Sequence, residues 1–163
     1  MPVGSAGTMA GLVLGCRLAG LASEPIGVRV YERTMANAWA VAWLARRALA
    51  LLRSLDPSVP KVPLSARSMR VLHGYCGRGY AHGTAAGAMA MERTRDLEGL
   101  ELEPTYSSKA MAAFSDYVSS APHRRRPALF VHTYNSAPLG PLIASCPGPQ
   151  VLPSALRCYF DDR

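Results

Sequence analysis

The run Pro2-Val3-Gly4-Ser5-Ala6-Gly7-Thr8-Met9-Ala10-Gly11-Leu12 passes from a Gly-rich turn straight into an apolar, helix-like segment. Residues of these types suit an anion such as a phosphate. Glycine lets the backbone fold tightly enough to bring several N–H groups to one point, Ser5 and Thr8 add hydroxyl donors, and a helix N-terminus adds partial positive charge. The same residues also describe an ordinary loop with Thr8 as its N-cap. A cradle of this kind usually hangs from a strand of ~5 residues, and here only Met1, Pro2 and Val3 precede it.

Other side chains able to do chemistry are sparse. Tyr106 and Ser107 stand at the start of a helix-like segment, where Tyr106 is either a surface residue or a proton carrier and Ser107 either an N-cap or a hydroxyl aimed at a ligand. His132 reads as a structural histidine at the end of an apolar stretch, and His73 and His82 have no evident partner. The four cysteines, Cys16, Cys76, Cys146 and Cys158, are far apart with no C-x-x-C and no histidine at ligand spacing, so no metal site is expected. They read as reduced thiols of a cytoplasmic protein. The only lysines are Lys61 and Lys109.

The net charge of +7 would fit nucleic acid, an anionic surface or a phosphate-bearing ligand. The arginines are scattered, however, and the one dense cluster, His123-Arg124-Arg125-Arg126, lies between elements without interleaved aromatic residues, so a solvated connection is expected rather than a nucleic-acid patch. The longest apolar stretch, residues 36–52, is broken by Arg46 and Arg47 and falls short of the ~20 residues of a bilayer span. Neither nucleic acid nor a membrane is expected as a partner.

The elements that would position these groups alternate. Periodicity and breakers predict helices over 8–21, 36–53, 85–95 and 107–119, and strands over 26–31, 68–73, 101–102 and 128–132. Trp39, Trp43, Leu44 and Leu51 are expected to pack inward from the second helix, and Thr84 to cap the third. Alternating strands and helices predict an α/β fold with a largely parallel sheet covered by helices on both faces. From Tyr134 onward, prolines and the lack of a sustained period suggest a divergent, loosely ordered tail, residues 134–163, after a main domain at 1–133.

In order, the Gly-rich turn, Ile26-Gly27-Val28-Arg29-Val30, Gly79-Tyr80-Ala81-His82-Gly83-Thr84, Leu100-Glu101-Leu102-Glu103-Pro104-Thr105-Tyr106-Ser107-Ser108-Lys109-Ala110-Met111 and Ala128-Leu129-Phe130-Val131-His132-Thr133 resemble the D-cysteine desulfhydrase and 1-aminocyclopropane-1-carboxylate deaminase family. The block Glu-Pro-Thr-Tyr-Ser-Ser-Lys-Ala looks like that family's Asp-Pro-Val-Tyr-(Thr/Ser/Glu)-Gly-Lys-Ala. The resemblance implies the C-terminal half of a fold-type II pyridoxal-phosphate enzyme, acting on a small amino acid and forming a homodimer.

By the same resemblance Gly4, Ser5, Ala6, Gly7 and Thr8 would hold the phosphate of pyridoxal 5′-phosphate, Ser107 would face its pyridine nitrogen, and Tyr106 would stand beside the substrate. Ala6 takes the place of a usual glycine; a positive φ there would cost roughly 1–2 kcal/mol. Ser107 in place of the deaminases' Glu favours β-elimination, as in a D-cysteine desulfhydrase. The family's Schiff-base lysine precedes the phosphate loop and matches neither Lys61 nor Lys109, so the chain alone is expected to be inactive, and Tyr134-Asn135 replaces Gly-Gly where the backbone approaches the cofactor. Two other readings are a non-catalytic phosphate- or cofactor-binding module and a basic surface binder resting on Arg124, Arg125 and Arg126.

Overall fold

The Ala/Leu-rich stretch after Asn37 has both strong helix propensity and a cap. In the computed structural model, which describes residues 1–120, 127–135, 137–138, 140–144 and 146–157, it forms a helix at Ala38–Leu55 with the Asn37 side chain accepting from the Ala40 N–H at 2.9 Å. Chain order runs β1 (Pro2–Val3), α1 (Gly7–Leu18), β2 (Ile26–Arg29), α2 (Ala38–Leu55), a 3₁₀ turn at Ala66–Ser68 and β3 (Arg70–Leu72). There follow α3 (Ala85–Glu98), α4 (Ser107–Ser119), α5 (Gly140–Ile143), a second 3₁₀ turn at Pro149–Val151 and α6 (Ser154–Arg157).

Among the described residues the strands form one parallel sheet in the order β1-β2-β3. Its register pairs Val3 with Arg29 and Gly27 with Val71, which sends Val3 and Val71 to one face, against a core built mainly from α1 and α2. Val28 and Leu72 point to the other face, where they meet Ala110 and Ala113 of α4. Helices therefore cover both faces, as the alternation predicts. The short β1 still has a fixed place, because Gly27 leaves room for Val3: a Cβ on Gly27 would lie 2.5 Å from Val3 Cγ2.

Three expectations are corrected. Residues 101–102 and 128–132 are not strands. The second segment carries its apolar residues against a helix instead of into a ladder, with the Phe130 ring 5.7 Å from that of Phe114 on α4. The third correction concerns α2, which buries Val41, Ala42, Ala45 and Leu49 while Trp39, Trp43 and Leu51 are 73%, 51% and 61% exposed. Small side chains let the helix approach its neighbours closely, and the bulky ones are left on the outer face. The basic cluster His123-Arg124-Arg125-Arg126 lies outside the described residues. Between 134 and 157, none of the residues whose side-chain burial is described is buried.

Candidate functional site

Two helix N-termini meet beyond the carboxyl ends of the strands, the usual place for a ligand in an open α/β sheet. The first belongs to α1. Gly4 and Ser5 form the turn, Ala6 stands just before the helix with φ 66 and ψ −5, and Gly7 and Thr8 are its first two residues. Ala6 thus adopts the left-handed conformation whose cost an alanine there would bear. It turns the chain so that the leading N–H groups of α1 point outward. Within the described residues the N–H groups of Ser5, Gly7 and Thr8 have no hydrogen-bond partner, and Thr8 does not cap the helix.

The second N-terminus, that of α4, is already occupied by the chain's own carboxylate. Glu103 accepts from the N–H groups of Thr105, Tyr106 and Ser107 at 2.7, 2.6 and 2.6 Å. Ser107 is buried, and its hydroxyl accepts from the Glu103 N–H at 2.8 Å while lying 3.3 Å from both the Glu103 carbonyl and Oε1. Glu103 is a site residue that the sequence reading passed over. Its signal was an acidic side chain just ahead of a helix start, where the macrodipole favours negative charge.

Tyr106 joins the two termini. A Cβ on Gly4 would come within 3.3 Å of Tyr106 Cε1, so the tyrosine ring lies against the glycine backbone. Its hydroxyl donates to that of Tyr80 at 3.0 Å, and the rings of Tyr106, Tyr80 and Tyr31 form an edge-to-face ladder with centroids 5.7 and 5.0 Å apart. The hydrogen bond to Tyr80, burial, and the charges of Tyr80, Glu103 and Tyr31 push the Tyr106 phenol up to about 12. At neutral pH it holds its proton.

Tyr80, also passed over, reaches the site on a loop bent by positive φ at Gly77, Gly79 and Ala81. Lys109 holds that loop. Its side chain is fully buried, and Nζ donates to the carbonyls of Cys76 and Gly79 at 2.9 and 3.0 Å. Lys61, by contrast, is exposed in the connection after α2.

Glu103, Tyr106, Ser107, Thr133, Tyr134 and Asn135 line a cavity of about 270 Å³. The cavity thus joins the start of α4 and the segment after His132; none of residues 4–8 lines it, and of these Gly4 lies against its Tyr106 wall. His132 itself sits just outside the cavity lining, its Nε2 3.2 Å from the Glu101 carbonyl. Burial, then Arg29 and Arg33, hold the His73 imidazole below its usual range. No cluster of three or more potential metal ligands occurs among the described residues, and no helix there is long and apolar enough to cross a membrane.

No family model matches the chain. It is 34% identical over 132 residues to a D-cysteine desulfhydrase of Klebsiella pneumoniae subsp. pneumoniae, covering 80% of this chain and 37% of that protein. The D-cysteine desulfhydrase of Klebsiella pneumoniae strain 342 is 33% identical over the same length and coverage. A crystal structure of an ACC deaminase homologue superposes with a TM-score of 0.59 at 26% identity, over 71% of this chain and 32% of that one. The shared portion is about a third of these proteins' length, a partial coverage that fits the resemblance. Together these similarities support the D-cysteine desulfhydrase and 1-aminocyclopropane-1-carboxylate deaminase family for this chain, over part of those proteins' length.

Proposed function

We propose that this chain supplies the phosphate cradle and the substrate-side tyrosine of a pyridoxal-phosphate enzyme that eliminates or deaminates a small amino acid, D-cysteine being the favoured substrate. The observation that carries the reading is the contact between Gly4 and Tyr106, which ties the turn that holds the unpartnered N–H groups of Ser5, Gly7 and Thr8 to a tyrosine of the cavity wall.

The cradle fits a phosphate: a helix N-terminus with free donors, opened by a left-handed residue, favours a dianion. The fit does not extend to covalent attachment, since Lys109 Nζ is buried on two carbonyls and Lys61 lies exposed elsewhere. Bound pyridoxal phosphate withdraws electrons from an amino acid's α-carbon. Around it, Gly4, Ser5, Ala6, Gly7 and Thr8 bind the phosphate and Tyr106 holds a proton at its phenolic oxygen, shared with Tyr80. Ser107, held by Glu103, would present a neutral hydroxyl to the bound cofactor. Tyr134 and Asn135 narrow the cavity.

The chain by itself therefore binds the cofactor without turning substrate over. A cytoplasmic setting accords with the free thiols Cys16 and Cys76. Titration of the purified chain with pyridoxal phosphate should saturate and be competed by inorganic phosphate, with no single-site adduct trapped by borohydride and no pyruvate from D-cysteine above the free cofactor's rate. Turnover abolished by Lys61→Met or Lys109→Met would overturn the assignment of the nucleophile. Equal affinity for pyridoxal and pyridoxal phosphate would overturn the cradle.

A further inference from the structure

Tyr80 meets Tyr106 from a connection, residues 73–84, that belongs to no helix or strand. Two cations on four backbone carbonyls hold this connection and the chain beside it. Arg29, at the end of β2, donates through Nη1 to the Tyr31 carbonyl at 2.9 Å and through Nη2 to the His73 carbonyl at 3.2 Å. Lys109, in the first turn of α4, donates to the Cys76 and Gly79 carbonyls. The Cys76 thiol adds a weak contact of 3.8 Å to the Tyr31 carbonyl. The loop is thus strapped between β2 on one side and α4 on the other.

Among the described residues neither cation has a carboxylate within ion-pair distance. A fully buried ammonium is costly to desolvate, and an apolar side chain of similar length would fill the same space without that cost. What an apolar side chain lacks is the donors. Their acceptors are carbonyls of a chain bent by positive φ at Gly77 and Gly79. A Cβ on Gly77 would lie 2.6 Å from Thr84 Cγ2, so the bend also packs against the cap of α3. Loop shape and lysine therefore specify each other, and the residue that follows Gly79 is Tyr80.

We propose that Lys109, with Arg29 behind it, is a positioning residue for the tyrosine pair: its grip on the Cys76 and Gly79 carbonyls sets the Tyr80 hydroxyl against that of Tyr106. Lys109 does not line the cavity, so it acts on the site through the loop backbone and Tyr80. Arg29 acts from the other side, through Tyr31, whose ring stands 5.0 Å from that of Tyr80. The start of α4 is fastened separately, by Glu103, and should survive the loss of Lys109. Any bearing on catalysis rests on the proposed role of Tyr106 beside the substrate; the seating of Tyr80 does not.

The test is carbon-13 magnetic resonance of the full chain with its seven tyrosines labelled at Cζ, at neutral pH and without cofactor. Tyr80→Phe and Tyr106→Phe identify the two resonances. In Tyr80→Phe the Tyr106 resonance should move, because its hydroxyl loses its partner. Lys109→Met should move it in the same direction and more than half as far, with helix content unchanged by circular dichroism. Lys109→Met added to Tyr80→Phe should move it no further, which a general loosening of the fold would not reproduce. Arg29→Met should give a smaller shift of the same sign.

A folded Lys109→Met with Tyr106 at its wild-type resonance would overturn the proposal. So would a shift that persists in full on top of Tyr80→Phe, since the lysine would then act on α4 directly. If Lys109→Met does not fold, Arg29→Met decides, its side chain being only half-buried: an unmoved Tyr106 resonance there overturns the strap. A wild-type chain that fails to bind pyridoxal phosphate would count against the α1 cradle alone, because every resonance is read without it.

Discussion

The N-termini of α1 and α4 meet where Tyr106 lies against Gly4, and they are finished in opposite ways. At α4 the chain supplies its own anion, Glu103, and uses three N–H groups on it. At α1 there is no acid in the first turn and no side-chain cap, and the leading donors stay open. An external anion is favoured where internal compensation is missing, so the proposed phosphate site belongs at α1 and not at α4. The α4 terminus instead provides a rigid start that aims Tyr106 back at the α1 turn.

The largest expected effect breaks that rigidity. Glu103→Ala leaves three N–H groups at the start of α4 without their acceptor. Hydrogen bonds to charged groups contribute about 1.5–3 kcal/mol each, and water can replace part of the loss in a half-buried turn. A net destabilisation of about 3 kcal/mol corresponds to about 6–12 °C in melting temperature for a chain of this size. Thermal unfolding followed by circular dichroism checks it. A shift under about 3 °C would mean that solvent caps α4 as well as Glu103 does.

A smaller effect is expected at the open terminus. Gly4→Val sets a branched side chain where even a Cβ would be 3.3 Å from Tyr106 Cε1. The ring and the α1 turn must then part. Pyridoxal-phosphate affinity should fall about tenfold, about 1.4 kcal/mol, while the helices persist by circular dichroism. Unchanged affinity would separate the cradle from the tyrosine and dissolve the shared site.

Tyr106 couples the termini, and its ionisation can be followed directly. With its phenol pushed up to about 12, it should be among the last tyrosines to ionise as phenolate absorbance is followed with rising pH. In Tyr80→Phe it should move down toward the ordinary value near 10. The sign for stability follows from the raised value. The contribution is fully present below the unfolded value near 10 and is lost as pH rises through about 12. The variant should therefore show less loss of melting temperature across that window than wild type.

Much of this contrast is written locally. Thr84 caps α3 through the Gly87 N–H as its type suggests, and α4 runs over the expected residues. The family's glycine at the Ala6 position also foretells the left-handed turn. Long-range choices were not legible. An α2 that is apolar nearly all round does not say which side it buries, and the close approach of Val41, Ala42 and Ala45 decided against the tryptophans. Residues 128–131 form the short apolar run of a buried strand, but the same pattern serves an extended segment lying on a helix. Tyr80 arrives by a loop whose shape depends on a lysine about thirty positions away, and no local pattern signals that.

The smallest expected effect tests how the α1 turn tolerates its side chain. Ala6 adopts φ 66, where an L-residue is disfavoured by roughly 1–2 kcal/mol, and glycine would remove that strain. Two terms oppose the gain. The Ala6 methyl is 3% exposed and part of the core with Met9 and Ala10, so deleting it forfeits about 0.8 kcal/mol. Glycine also loses more freedom on folding, by about 0.4–1 kcal/mol. These terms nearly cancel, and Ala6→Gly should leave the melting temperature within about 2 °C of wild type. A rise of about 4 °C or more would show that the methyl contributes little and that the strain remains uncompensated. A comparable fall would make the methyl's packing the stronger term, with the open turn held in its anion-binding shape by the core beneath it.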